Sequence, residues 1–127
     1  MKTAICILLL ICTTTLAAQD LDCSKFKTGS FIMEDPNTGV NYISRNDSTQ
    51  IEYLPKLGIK VELNAKWIDE CTLELSLKDV IENPNNHPIR EFILISKIIK
   101  TEGDSYVMES KATDSELTMV RKFTIQN

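Results

Sequence analysis

What this chain has little of excludes more than what it has. There is one histidine, His87, in 127 residues. A triad built on a nucleophile, a histidine and an acid, or a multi-histidine metal site, cannot be assembled around it alone. Its setting, Asn83-Pro84-Asn85-Asn86-His87-Pro88, reads as a solvated loop. Bases are outnumbered, 14 Lys and Arg against 18 Asp and Glu, for a formal net charge of −4. Binding along a phosphate backbone needs a basic face, so nucleic acid is not an expected partner. No apolar run reaches the ~20 residues of a spanning helix. The short catalytic and phosphate-binding signatures are missing too: no G-x-S-x-G, P-loop, H-E-x-x-H or G-x-G-x-x-G occurs. There are no internal repeats and no low-complexity tracts, and the length fits one domain. Chemistry that needs several domains, such as that of helicases, polymerases or topoisomerases, does not fit.

What is present begins with an address. Lys2 forms a basic n-region, Ala4–Cys12 (AICILLLIC) an apolar core, and Thr13–Ala18 (TTTLAA) a small-residue cleavage region. Residues 1–18 therefore read as a secretory signal peptide, with cleavage after Ala18 or, as the alternative, after Ala17. Lipidation is not expected, because Ile11 precedes Cys12 and Asp22 precedes Cys23 where a small residue would be needed. Removing the first 18 residues takes away Lys2 and no acid, leaving 109 residues, 13 bases and 18 acids. A domain of residues 19–127 can bury a real core. The expected product is exported, periplasmic or extracellular, with no transmembrane segment in the mature chain.

Two cysteines remain, Cys23 and Cys71. In an exported chain the simplest reading is one disulfide. On the chain-entropy model a loop of that length is worth roughly 4 kcal/mol. A redox pair would favour C-x-x-C, and a nucleophilic cysteine would want a histidine partner.

The body is punctuated by turn signals, among them Asp35-Pro36-Asn37-Thr38-Gly39, Asn46-Asp47-Ser48, Pro55-Lys56-Leu57-Gly58 and Glu102-Gly103-Asp104. Between them lie short runs of β-branched and aromatic residues, several alternating with period two. Strands are expected over Thr28–Glu34, Val40–Arg45, Gln50–Leu54, Ile59–Ile68, Thr72–Leu77, Ile89–Lys100, Ser105–Ser110 and Glu116–Ile125. Eight such strands, neighbours paired as antiparallel hairpins and with no strong helix, predict an all-β up-and-down meander, a closed or partly open barrel of lipocalin or calycin type.

The pattern is clearest in Ile59–Leu77. Ile59, Val61, Leu63, Ala65 and Trp67 share one face, and Cys71, Leu73, Leu75 and Leu77 share one after the turn. Face matching then predicts a three-residue loop, Ile68-Asp69-Glu70, with Trp67 opposite Cys71 and Ala65 opposite Leu73. In Ile89–Lys100 (IREFILISKIIK) apolar residues fall on both faces; a strand is favoured over a helix, and its second face (Ile93, Ile95, Ile99) would need a cover. The last strand turns Leu117, Met119, Phe123 and Ile125 inward and puts Arg121 among them. An inward arginine needs a carboxylate or a mouth open to water, and a slipped register or a fraying strand is slightly favoured instead.

The candidate site residues are polar groups on strand faces. A four-residue turn over Asn46–Thr49 sets Arg45 opposite Gln50, with Glu52 two positions on along the same face. A fixed Arg–Glu pair there is ordinarily structural; lining a ligand mouth, Arg45 would read an anion. Arg45, Gln50, Glu52 and Arg121 are the expected ligand-lining set; no catalytic residue, metal ligand or cofactor is expected. The acid pairs Asp20/Asp22 and Asp69/Glu70 offer too few ligands for calcium. Asn46-Asp47-Ser48 is an N-glycosylation sequon on an expected turn.

Three stretches taken together resemble a known group: Asp22–Phe31 (DCSKFKTGSF), Ile43–Asn46 with Gln50–Glu52, and Trp67–Leu75 (WIDECTLEL). The chain resembles small exported proteins of Bacteroidota, chiefly flavobacteria, over nearly all of its mature length. The most specific part is W-x-x-x-C-x-L-x-L paired with an N-terminal C-x-x-F-x-x-G. The group has no assigned activity; some members carry the label topoisomerase, which a chain this small and acidic does not support. Asp47-Ser48-Thr49 also matches the short O-glycan acceptor motif of such exported proteins. The C-x-x-F-x-x-G-x-F opening is similar to the G-x-W start of lipocalins but lacks the Trp, so the likeness is one of architecture.

Three functional readings compete. The first is an exported, non-enzymatic barrel binding a small apolar or amphipathic ligand, since the 6% aromatic content leaves few bulky side chains to fill an interior. The second is an envelope protein-interaction module such as an inhibitor, chaperone or assembly factor. The third is a small hydrolase using carboxylates alone, for which no pair is singled out.

Overall fold

Alternating side chains and turn residues resolve into eight strands. In the computed structural model, which describes residues 21–127, these are β1 (Gly29–Asp35), β2 (Gly39–Arg45), β3 (Thr49–Leu54), β4 (Ile59–Trp67), β5 (Thr72–Glu82), β6 (Ile93–Glu102), β7 (Ser105–Ala112) and β8 (Thr118–Ile125). The signal segment and its cleavage point lie outside the described residues. Each strand pairs antiparallel with its chain neighbour, and β8 returns to β1, closing the barrel. The expected eight-stranded meander is therefore the fold, in its closed form. Closure leaves no full-length free edge.

The closing seam is short. Only Phe31↔Ile125, Ile32↔Thr124 and Met33↔Phe123 pair across it, extended by the Gln126 N–H to the Ser30 carbonyl at 2.9 Å. Inside, Phe31, Ile43, Leu63, Leu73, Leu75, Ile98, Met108 and Phe123 are buried. Each such side chain contributes about 1.5–3 kcal/mol on burial. Tyr106 organises the aromatic part of the core: its ring stacks on Phe123 at 4.9 Å, meets Phe31 edge-on at 5.4 Å and lies 4.8 Å from Phe26.

One end of the barrel is plugged. A 3-10 turn, Ser24–Phe26, precedes β1 and buries Phe26. The expected Cys23–Cys71 disulfide fastens the plug to the β4–β5 turn, with a Cα–Cα distance of 5.5 Å. Lys25 fastens it to the β6–β7 turn through Asp104 at 2.7 Å. Gly29, at φ +134°, lets the chain swing from plug to strand, with the Phe31 ring 3.5 Å from where a Cβ would sit.

Three expectations are corrected. In the β4–β5 hairpin Trp67 pairs with Leu73 and Ala65 with Leu75, a shift of two from the expected register. The faces still match; the turn differs. Asp69 Oδ1 accepts the Cys71 N–H at 2.9 Å and the Ile68 N–H reaches the Thr72 carbonyl at 2.8 Å, so Cys71 sits in the turn, where it meets Cys23.

The strand expected over Ile89–Lys100 begins at Ile93. Residues 83–92 form a connection in which Pro84 and Pro88 have no N–H to give a ladder. Asn83 brackets it, donating to the His87 carbonyl at 2.8 Å and accepting its N–H at 3.0 Å. Ile89 and Phe92 still pack against the core. The second face of β6 has no cover: Ile93 and Ile99 are exposed and Ile95 is half-buried.

Leu117, just before β8, and Met119, at its start, are exposed, at 80% and 46%, and do not face a core. The seam with β1 stops at Met33↔Phe123, so this end of β8 pairs with β7 alone and has no partner on its β1 side. Phe123 and Ile125 do pack inward. Arg121 lies in the regular β7–β8 ladder opposite Met108, with neither slippage nor fraying.

Candidate functional site

The expected residues form two separate groups. The β2–β3 turn sets the first. Asn46 Oδ1 accepts the Ser48 and Thr49 N–H groups at 3.0 and 2.8 Å, and the Asn46 N–H reaches the Thr49 carbonyl at 3.0 Å. This fixes Arg45 opposite Gln50 and turns both inward, at 3% and 1% exposure. Arg45 Nε donates to Gln50 Oε1 at 2.6 Å, Nη1 to the Phe26 carbonyl at 2.7 Å and Nη2 to the Tyr106 hydroxyl at 3.1 Å. The guanidinium lies 5.1 Å from the Phe31 ring centre and 5.6 Å from that of Trp67. Gln50 Nε2 then donates to Glu52 Oε1 at 2.7 Å.

The expected Arg–Glu pair is thus relayed. Gln50 stands between the charges, and Arg45 has no carboxylate at ion-pair distance among the described residues. Burial pushes the Glu52 carboxyl up, against the Gln50 hydrogen bond and the Arg45 charge. Burial pushes the Tyr106 phenol up as well, opposed by Arg45. Three acceptors and two rings hold the guanidinium in place, so it acts as a strut joining plug, β2, β3 and β7.

Arg121 sits toward the other end of the barrel. Its Nε donates to Asp35 Oδ2 at 2.9 Å, across the gap beyond the closing seam. Burial raises the Asp35 carboxyl, but bonds from Arg121 and from the Asn37 and Thr38 N–H groups, with the Arg121 charge, outweigh it and hold it low. This is the carboxylate that an inward arginine requires. Nearby on β2, the buried Asn41 donates to Thr38 Oγ1 at 2.9 Å, while its Oδ1 has no hydrogen-bond partner.

Sequence reasoning missed Phe26 and Tyr106 as partners of Arg45, and Asp35 as partner of Arg121. The first two lie 19 and 61 residues away in the chain, and no local pattern joins them. Asp35 follows once β1 is laid beside β8, a step that needs the closed barrel.

Clefts lie on the outer wall and at the rim. One of about 500 Å³ runs along the outside of the β1–β8 seam, lined by Ile32, Glu34, Lys122 and Thr124. One of about 280 Å³ is lined by Tyr42, Tyr53, Ser44, Ile51 and Lys60, with Ser30 and Gln126 at its border. No group of three or more His, Cys, Asp or Glu among the described residues could hold a metal ion, and no described helix is long and apolar enough to cross a membrane.

The wall around the second cleft differs from its neighbour. Outward on β1, β2 and β3 stand Ser30, Ile32, Glu34, Val40, Tyr42, Ser44, Thr49, Ile51 and Tyr53, with Glu34 the one charge. Outward on β4 and on β5 as far as Lys78 stand Lys60, Glu62, Asn64, Lys66, Thr72, Glu74, Ser76 and Lys78, five of them charged. Tyr42 and Tyr53 pair directly across the ladder, with stacked rings 6.4 Å apart and exposures of 38% and 37%. The sequence pattern had put both, with Val40 and Ile51, on the face opposite Arg45. Comparison with known proteins returned no matching family model, curated protein or solved structure.

Proposed function

We propose that the chain is an exported, non-enzymatic protein-interaction module that docks through the outer wall of β1–β3. The observation that carries this reading is the near-absence of charge on that wall beside a charged one, with two exposed, stacked tyrosines at its centre. Interface cores are depleted in charge and enriched in tyrosine, whose broad ring buries much area at little entropic cost. The filled lumen points the same way: Arg45, Phe26, Tyr106 and Phe123 occupy the space at the plugged end that a carried apolar ligand would need there. A hydrolase reading finds no support in the carboxylates, since Glu52 is turned to Gln50 and Asp35 to Arg121.

The test is site-specific photo-crosslinking in the exporting cell. A benzophenone amino acid in place of Tyr53 is expected to give a discrete adduct, and the same group in place of Lys66, on the charged wall, none. Absence of an adduct at position 53 would remove the docking reading.

A further inference from the structure

We propose that the partner seated on this wall is a second copy of the chain, forming a twofold dimer; this rests on the reading of β1–β3 as a docking face. The wall is self-complementary. The ladder sets Ile32, Tyr42, Tyr53 and Lys60 in one row across β1 to β4, and Glu34 with Val40 in the next. The apolar and aromatic centre is therefore flanked by the acid Glu34 on its β1 margin, with Lys122 of β8 beyond it across the seam, and by the base Lys60 on its β4 margin. Neither Glu34 nor Lys60 has an ion-pair partner among the described residues, whereas Lys78 and Glu62 close by are paired at 2.9 Å.

A twofold axis lying in the interface and running along the strands, between β2 and β3, lays the β1 margin of each copy on the β4 margin of the other. Glu34 then comes within reach of the other copy's Lys60, twice per dimer, and the Tyr42–Tyr53 pair packs on its own counterpart. This is an isologous contact, in which one patch must complement itself. At its centre, over β2 and β3, the two walls would lie about 10 Å apart as in aligned sheet packing, and they curve away toward β1 and β4, where the long Glu34 and Lys60 side chains reach across. Opposite signs on the two margins let a second copy meet each of them with its counter-charge.

Sedimentation of the exported protein from micromolar to near-millimolar concentration reads this directly. A monomer–dimer equilibrium is expected. Glu34→Lys or Lys60→Glu alone should weaken association at least tenfold, because each sets like charges together twice per dimer. The two reversals in one chain should restore it, while Lys66→Glu on the charged wall should leave it unchanged. Both flanking side chains are on the surface, so these variants keep the fold. A wild-type monomer throughout the range, or single reversals without effect, would overturn the dimer. The crosslink at position 53 separates the two failures. An adduct of twice the chain mass supports the second copy; an adduct with a different protein overturns the dimer and keeps the docking wall; no adduct overturns both.

Discussion

Arg45 is the residue on which the plugged end of the barrel turns. A guanidinium at 3% exposure has left water, and its three bonds to Gln50, Phe26 and Tyr106 offset that loss. Truncation removes the cation and strands its acceptors. Arg45→Ala is therefore expected to cost roughly 3–5 kcal/mol of unfolding free energy, by analogy with breaking a buried pair; urea denaturation followed by Trp67 fluorescence would measure it. Arg45→Lys keeps the charge but not the forked geometry, and should recover only part of that stability. Glu52 gives a test with a definite sign. Its folded value is raised by burial, so the folded state holds its proton more tightly than the unfolded state. The stability it contributes is full below the unfolded carboxylate value and is lost as pH rises through the folded one. Glu52→Gln keeps an acceptor for Gln50 and cannot titrate. It should gain on wild type as pH rises from acid to neutral in paired urea melts; a constant difference would contradict the assignment. Asp35 has the opposite sign: held low, it stabilises above the unfolded value and ceases to as pH falls through the folded one. The Arg45–Gln50–Glu52 line was legible from strand pairing, because turn length and alternation fix which residues meet. The further partners of Arg45 were not, because Tyr106 arrives only when the sheet closes and Phe26 only when the plug seats.

Among the elements, the β4–β5 hairpin shows what alternation settles and what it leaves open. Period two fixes the faces of β4 and β5, and Trp67, Ala65, Leu73 and Leu75 do share the inner one. It cannot tell one register from another two residues away, since both keep the faces matched. The choice falls to the turn, where the Asp69 carboxylate bonding the Cys71 N–H draws the cysteine out of the ladder. The connection over residues 83–92 departs from its strand-like pattern for a related reason. Its Ile89 and Phe92 carry the apolar signal of a strand, yet they pack on the core from an irregular segment that follows Pro88. The β4–β5 turn and the plug before β1 meet in the disulfide. With a separation of 48 residues, its loss is expected to cost about 4 kcal/mol on the chain-entropy model. Cys23→Ser with Cys71→Ser should lower the urea midpoint accordingly, checked against wild type with and without reductant. If the plug then leaves the barrel, Arg45 loses the Phe26 carbonyl as well, and the cost of the double serine variant should exceed that of the crosslink alone.

For the whole molecule, the decisive property is what occupies the inside. An eight-stranded barrel is near the size at which side chains either fill the interior or leave room for one small ligand. A chain with 6% aromatic residues is poorly supplied for filling, so composition alone favours a carrier. The outcome depends on where those aromatics go. Phe26, Phe31, Tyr106 and Phe123 converge on one end of the lumen, Trp67 packs against the same core, and Arg45 completes the stack. Toward the other end the interior holds Met33, Leu54 and Asn41, and it is rimmed by the Asp35–Arg121 pair. The remaining two aromatics on strands, Tyr42 and Tyr53, stand outside. A carrier would arrange these the other way, with apolar rings lining an empty lumen and polar groups on the wall. Native mass spectrometry of the purified protein, set beside a denatured and unreduced sample, tests this arrangement. The expected native species are the bare chain and its dimer, each chain lighter by the two hydrogens of one disulfide. An added mass that leaves on denaturation and survives Tyr42→Ser with Tyr53→Ser would place a ligand in the lumen and return the function to carriage. An added mass abolished by those two substitutions would place it on the outer wall.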